Sequence, residues 1–307
     1  MLEMADDPNW PRASAWLKGA HADEAKCCLA LLGAPLRLAS ISQGRCDQAP
    51  AAIRAALERF SVYDLEFDRD LSNVVVTDLG DLELADSTPE QAVEPLSEAV
   101  RRALREAHAL VVLGGDNSVT RAACHGVATS LAQCGLITLD AHLDLRHLDA
   151  GLTNGNPVRA LLADGMPGSQ ICQIGIAPFA NSHAYFDVAR DAGIKVIPAA
   201  QVHARGIEEV IDDALDALSQ EVEAIYVDVD MDVLDRAFAP ATPGSRPGGL
   251  TPADLRTAAR LCGAHPKVKV MDLVEIDPAK DVADVTVLAA GLCLLSFTSG
   301  LLGRFSR

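Results

Sequence analysis

Short apolar runs alternate along the chain with stretches of helical spacing. The runs Lys26–Gly33, Asn73–Leu79, Ala109–Leu113, Gly135–Leu139, Gln170–Ile176, Ile194–Ile197, Ala224–Val229 and Val268–Ile276 have the length and composition of buried strands. Between them, Pro89–Ala107 repeats Leu96, Val100 and Leu104 every four residues, as one face of a helix does. Ala180–Ala192, Gly206–Leu218, Pro252–Cys262 and Val282–Leu302 read as further helices, and others open at Pro50 and at Asn156-Pro157, where proline suits a first turn. Strands alternating with helices in this rhythm predict an α/β fold whose parallel sheet is covered on both faces. No internal repeat or low-complexity segment interrupts the pattern, so residues 26–307 are read as a single domain. Residues 1–25, with Trp10 and Trp16, are read as an extension lying on it.

Two runs break into polar alternation where they end. Gly135–Leu139 leads into Asp140, His142 and Asp144, and Ala224–Val227 leads into Asp228, Asp230 and Asp232. In an extended chain, alternate residues face one side, so each set is expected to share a face. Carboxylates with an imidazole suit a divalent ion such as Mn2+ or Zn2+ better than a soft metal that needs thiolates. Anionic groups that converge in a partly buried place repel one another unless cations neutralise them. The second set adds enough carboxylate for two ions. Asp116-Asn117 and Glu275 also follow apolar runs. Open sheets of this class bind ligands beyond the carboxyl ends of their strands.

Composition narrows the function. Hydrophobic residues make up 49% of the 307, enough for a sizeable core, and the formal net charge of -17 argues against nucleic acid and anionic membrane surfaces. No apolar run is read as long enough to span a bilayer, and the acidic start lacks the features of a signal peptide, so a cytoplasmic protein is expected. The 8 cysteines are scattered, with no Cys-x-x-Cys pair, and are read as reduced thiols packed in the interior.

Together the motifs resemble the ureohydrolases, the superfamily of arginases, agmatinases and formimidoylglutamases. The likeness is carried by Gly114-Gly115-Asp116-x-Ser118, by Asp140-Ala-His142-x-Asp144, and by Asp230-x-Asp232-x-x-Asp235 through Pro240-Ala-Thr242 to Gly248-Gly249-Leu-Thr. Gln43-Gly44-Arg45 with Ala49-Pro50-x-x-Ile53-Arg54 is similar to the family's early substrate-side loop, and Met271-Asp272-Leu-Val-Glu275-Ile-Asp-Pro278 to its late strand. The resemblance spans about residues 26–302. It implies a three-layer arginase-like α/β fold with an eight-stranded parallel sheet between helices, a site for two manganese ions, and trimers or hexamers. By position, Asp140 and Asp230 would bridge the ions, Asp144 would complete one site, and His142 with Asp232 the other. A metal-activated water would attack an amidine or guanidine carbon, Asp144 would pass its proton to the leaving nitrogen, and Glu275 would hold the cationic head.

Three departures shape the substrate. Asn117 stands where the family carries a histidine ligand, so one metal position is expected to be weaker. Asn154 stands where arginases carry a proton-shuttling histidine. The loop Ala177–Asn181 lacks the carboxylates that receive an α-amino group in arginases, whereas Arg146, His147 and Arg159 cluster after the central motif. Those charges favour an acidic tail, and the likeness is nearest to formimidoylglutamase-like members, with Arg146, Asn154, Arg159 and Thr242 as substrate contacts. A guanidine hydrolase acting on agmatine, arginine, a guanidino acid or a hydroxyguanidine is the alternative within the class. A catalytically silent, metal-binding homologue is the alternative outside it.

Overall fold

The structure is a computed structural model that describes residues 7, 9–22 and 25–305. The apolar runs fold into strands β1 (Cys27–Ala34), β2 (Val74–Asp81), β3 (Ala109–Gly114), β4 (Cys134–Leu139), β5 (Ile171–Ile176), β6 (Lys195–Pro198), β7 (Ala224–Val229) and β8 (Val268–Leu273). They form one 8-stranded sheet in the order β2-β1-β3-β8-β7-β4-β5-β6, and every pairing is parallel. The chain builds one half with β1 to β3, crosses to build the other with β4 to β6, and returns to fill the gap with β7 and β8. The central strands β3, β8, β7 and β4 therefore meet although they are distant in sequence. Their carboxyl ends carry Asp116-Asn117, Glu275, Asp230-Asp232 and Asp140–Asp144 respectively.

Successive side chains of a strand face opposite layers, and both layers are apolar. Leu29 and Leu31 of β1 pack with the helices Ala49–Ala56, Ile207–Ser219, Pro252–Ala264 and Val285–Gly303. Ala30 and Leu32 pack with Pro89–Ala103, Ser118–Cys124, Pro157–Ala163 and His183–Ala192. This two-sided burial explains why the runs lack alternation. Thr88 with Gln91 and Thr251 with Asp254 form capping boxes that start two of the helices. The helices Ser118–Cys124 and Ala199–Arg205 were not part of the expected pattern; each spans only 7 residues, too few to show a helical period.

Trp16 of the extension is buried, and its Nε1–H donates to the Val74 carbonyl at 2.9 Å. The helix Val285–Gly303 corrects the reading that no apolar run is long enough to span a bilayer: it has 19 residues, and its most apolar 18-residue stretch has a mean hydropathy of 2.0. It is the core helix of one layer, 78% buried over its most apolar stretch, and core helices share the composition of membrane spans. The cysteines carry free thiols, and only Cys28 is less than fully buried. At one sheet edge, β2 exposes Thr77–Asp81, and Arg54 holds Asp78 and Asp81 at 2.7 and 2.6 Å. At the other, β6 is 4 residues long and ends in Pro198.

Candidate active site

The two acidic motifs are neighbours in register. Thr138 of β4 lies beside Asp228 of β7, and Leu139 beside Val229, which brings the residues beyond both strand ends together. Each motif bends in the same way. Asp140 Oδ1 accepts the His142 backbone N–H at 2.6 Å, and Asp230 Oδ1 accepts that of Asp232 at 2.8 Å. Short Asp side chains favour such turns because they can bond the backbone two residues on. His142 Nδ1 then stands 2.9 Å from Asp232 Oδ2 and 3.5 Å from Asp140 Oδ1. Ligand atoms of Asp140, His142 and Asp232 lie within 4.8 Å of one another, a donor set suited to a divalent ion. Asp144 and Asp230 line the same cavity, of about 160 Å³.

Electrostatics describe the crowding. Burial and repulsion from Asp232 push the Asp140 carboxyl up to about 7. Burial, with repulsion from Asp140 for Asp144 and from Asp232 for Asp230, holds both carboxyls well above the usual range. Burial opposes the charge on His142, but hydrogen bonds to Asp140 and Asp232 overcome it and raise the imidazole to about 11. Asp232 is buried too, yet its bond to His142 leaves it below the ordinary value. The protein thus gathers more negative charge than one imidazolium offsets, and divalent cations fit that deficit.

Glu275 lies beyond the end of β8. Its Oε1 accepts from the Asn117 backbone N–H at 2.7 Å and from Asn154 Nδ2 at 2.9 Å, which leaves Oε2 for a ligand in the cavity. Burial and the nearby Asp116 raise its carboxyl to about 8. Asn154 also accepts the Ile41 N–H at 2.8 Å, so it ties Glu275 to the loop whose Ile41 and Ser42 line the cavity. Asp144 and Glu275 have φ of 51° and 64°, a left-handed conformation that costs a side chain on the order of 1–3 kcal/mol. Neighbours hold both in place: Asp144 accepts from the Arg159 N–H at 3.1 Å, and Glu275 donates its N–H to Gly115 at 2.9 Å.

Asn117 points into the site. Its Nδ2 lies 2.6 Å from Asp144 Oδ2, and its Oδ1 lies 2.8 Å from the Thr120 hydroxyl. Thr120 also bonds Asp272 at 2.9 Å. Turning the amide end for end would let Thr120 donate to Asp272, accept from Nδ2, and leave Oδ1 facing the ligand cluster.

Arg146, His142, Asp144, Asn154, Asp230, Asp232 and Glu275 all border the cavity, and Asp140 and Asn117 join them through the contacts above. Two expected substrate contacts do not. Arg159 starts a helical turn whose backbone braces Asp144, and its side chain stays outside the cavity, so nearness in sequence misled. Thr242 is 0% exposed and its hydroxyl donates to the Ala239 carbonyl at 2.9 Å, which makes it a brace of its own loop. Asp228 does not line the cavity either: it stays within β7, fully buried. His147 is exposed, near Asp149 at 3.8 Å. Ala180 and Asn181 line the cavity and bring no charge to it. Arg246 also lines it and was not anticipated; its signal was a lone arginine inside a proline- and glycine-rich loop.

The structure is thus an α/β protein whose doubly covered parallel sheet carries, at its central strand ends, an Asp/His cluster that could hold a metal ion. The chain belongs to the arginase family, whose model matches residues 28–298. It is 38% identical over 274 residues to the formimidoylglutamase of Halalkalibacterium halodurans, covering 88% of this chain and 86% of that one. The crystal structure of formimidoylglutamase from Bacillus subtilis superposes with a TM-score of 0.88 at 30% identity, covering 98% of this chain and 95% of that one. Trypanosoma cruzi formiminoglutamase with Mn2+ shares the fold at 24% identity, with a TM-score of 0.84 over 96% of this chain and 99% of that one.

Proposed function

We propose that the protein is a manganese-dependent formimidoylglutamase, which hydrolyses N-formimidoyl-L-glutamate to L-glutamate and formamide. The observation that carries this reading is the charge arrangement of one cavity: carboxylates with His142 and Glu275 below, arginine at the mouth, and an uncharged Ala180-Asn181 wall. The likeness to formimidoylglutamases over most of the chain supports it.

Asp140, His142, Asp144, Asp230 and Asp232 would hold two ions, with Asn117 the weaker neighbour. Bound divalent ions supply Lewis acidity and make water a nucleophile near neutral pH. Glu275 Oε2 would take the amidinium head by a charge-assisted bond and so orient the carbon to be attacked. Asp144, on the cavity wall, would carry the proton released from water to the departing amine nitrogen. Arg146 would draw a carboxylate of the tail. The assembly is read as a trimer or hexamer working in the cytoplasm, and sedimentation velocity measures the first.

The test is a panel of manganese-loaded protein with formimidoylglutamate, agmatine and arginine, following formamide and urea. Formamide release from the first is expected to dominate. Faster urea release from agmatine or arginine would give the site to a guanidine hydrolase. A fully loaded protein inert on all three would be the silent homologue.

A further inference from the structure

Arg246 reaches the cavity from the loop between β7 and the helix Pro252–Ala264, and that loop lies directly on the ligand cluster. The Gly244 backbone approaches so closely that a Cβ there would sit 2.0 Å from Asp232 Oδ2 and 3.0 Å from His142 Cε1. Arg246 Nη1 donates to the Gly244 carbonyl at 2.6 Å, so its guanidinium is folded back to this point. The loop is braced from behind, because Arg236 Nη1 donates to the Thr242 carbonyl at 2.9 Å and to Ser245 Oγ at 3.2 Å. Ser245 in turn bonds the Ala239 carbonyl at 3.0 Å. Arg146 enters from a different wall: its stem lies against Gly155, where a Cβ would meet Cδ at 2.7 Å, next to the Asn154 that holds Glu275. Both arginines are exposed at the mouth.

We propose that Arg246 selects the α-carboxylate of the substrate, while Arg146 takes the carboxylate at the end of its side chain. The assignment rests on the formimidoylglutamase reading and deepens it. The carbon under attack must lie between Glu275 and the Asp/His cluster. In a formimidoyl amino acid the α-carboxylate is two bonds from the adjacent nitrogen, whereas the second carboxylate sits at the end of a further two-methylene arm. The guanidinium tethered to Gly244, whose backbone touches Asp232 and His142, is placed for the short arm. Arg146 then answers the long one. Two guanidinium groups also match the two carboxylates of the tail in number. Planar guanidinium suits carboxylate because it can donate two parallel hydrogen bonds.

The experiment compares the manganese-loaded full chain with its Arg246→Ala and Arg246→Lys variants. Two substrates are used: N-formimidoyl-L-glutamate and N-formimidoyl-γ-aminobutyrate, which differ only in the α-carboxylate. Arg246→Ala should shrink the preference for the first over the second, as a ratio of kcat/KM, by about ten- to a hundredfold. Most of the change should appear in KM, since the tail is bound alike before and during reaction. Lysine should restore part of the preference, because it keeps the charge and loses the two-pronged geometry. If arginine only braced its own loop, both substrates would suffer equally and the ratio would stand; that result, or no loss on either, overturns the assignment alone. An unmodified protein inert on formimidoylglutamate overturns the functional reading and this assignment with it.

Discussion

The strand ends at Asp140 and Asp230 are near copies that lie side by side, and they use their outlying aspartate in opposite ways. In both, an aspartate accepts the backbone N–H two residues on and bends the chain toward the cavity. In the first motif the extra residue, Asp144, lies downstream and reaches the cavity. In the second the extra residue, Asp228, lies upstream, in register with Thr138 and sealed within the sheet. Asp228 is buried close to Asp272, and burial with repulsion from Asp272 pushes its carboxyl well above the usual range. Asp272 itself receives Tyr226 at 2.6 Å, Thr120 at 2.9 Å and the Val229 N–H at 3.0 Å. A carboxylate placed before the strand end is therefore sealed within the sheet, and one placed beyond it faces the cavity.

That contrast can be broken at several points. Asp140→Asn and Asp230→Asn should be equally severe, because each removes a carboxylate proposed to hold the ions. Manganese content by elemental analysis and turnover should fall by more than the roughly 10–100-fold typical of losing a group one step removed from a metal. If either variant kept full metal and full rate, the pairing of the two strand ends would be wrong. Asp144→Asn removes the proposed proton carrier, and kcat should drop about 10²–10⁴-fold. A change confined to KM would remove that role.

Asn117→His should raise manganese affinity at one position by about tenfold or more, given that even indirect partners tune affinity by roughly 10–100-fold. Titration of metal-free protein reads it, and unchanged constants would mean that Asn117 does not face the ions. The smallest effect is expected at Asp228→Asn. An amide of the same shape replaces a carboxyl whose charge burial disfavours, so manganese content should persist and Tm should move by only a few degrees. Loss of metal from this variant would erase the distinction between the two extra carboxylates.

Much of this architecture could be read in advance because burial on both faces leaves a plain mark. Runs such as Ala109–Leu113 and Ala224–Val229 contain little else than apolar residues, and the structure places a central strand at each. The alternation at Asp140-His142-Asp144 was equally legible, since its polar groups follow directly on such a run. What escaped depends on where a side chain turns after the backbone is placed. Arg159 and Arg146 looked equivalent, but the former sits in a helix and the latter on the loop that borders the cavity. Thr242 spends its hydroxyl on Ala239, and Arg246 folds back to Gly244; both are consequences of a loop path with no periodicity. Asp228 was grouped with Asp230 and Asp232 by a period of two that ends at the strand terminus. The 3-10 turn Met231–Val233 begins there.

The sheet keeps its two outer strands open, and their make-up bears on what happens when many copies are present at once. An exposed strand edge is a template on which another chain can add. On β2 the exposed half is Thr77–Asp81, charged, with Gly80 at φ 74° and Arg54 clamped across Asp78 and Asp81. An incoming strand would have to strip those ion pairs before it could zip on. On β6 only 4 residues are offered, and Pro198 closes the run without an N–H to give. Sheet growth from molecule to molecule is thereby blocked at both margins, so the parallel sheet ends within a single chain. Removing the charges at one margin, as in Arg54→Ala with Asp78→Val, is expected to make the protein cloud at concentrations where the parent stays clear.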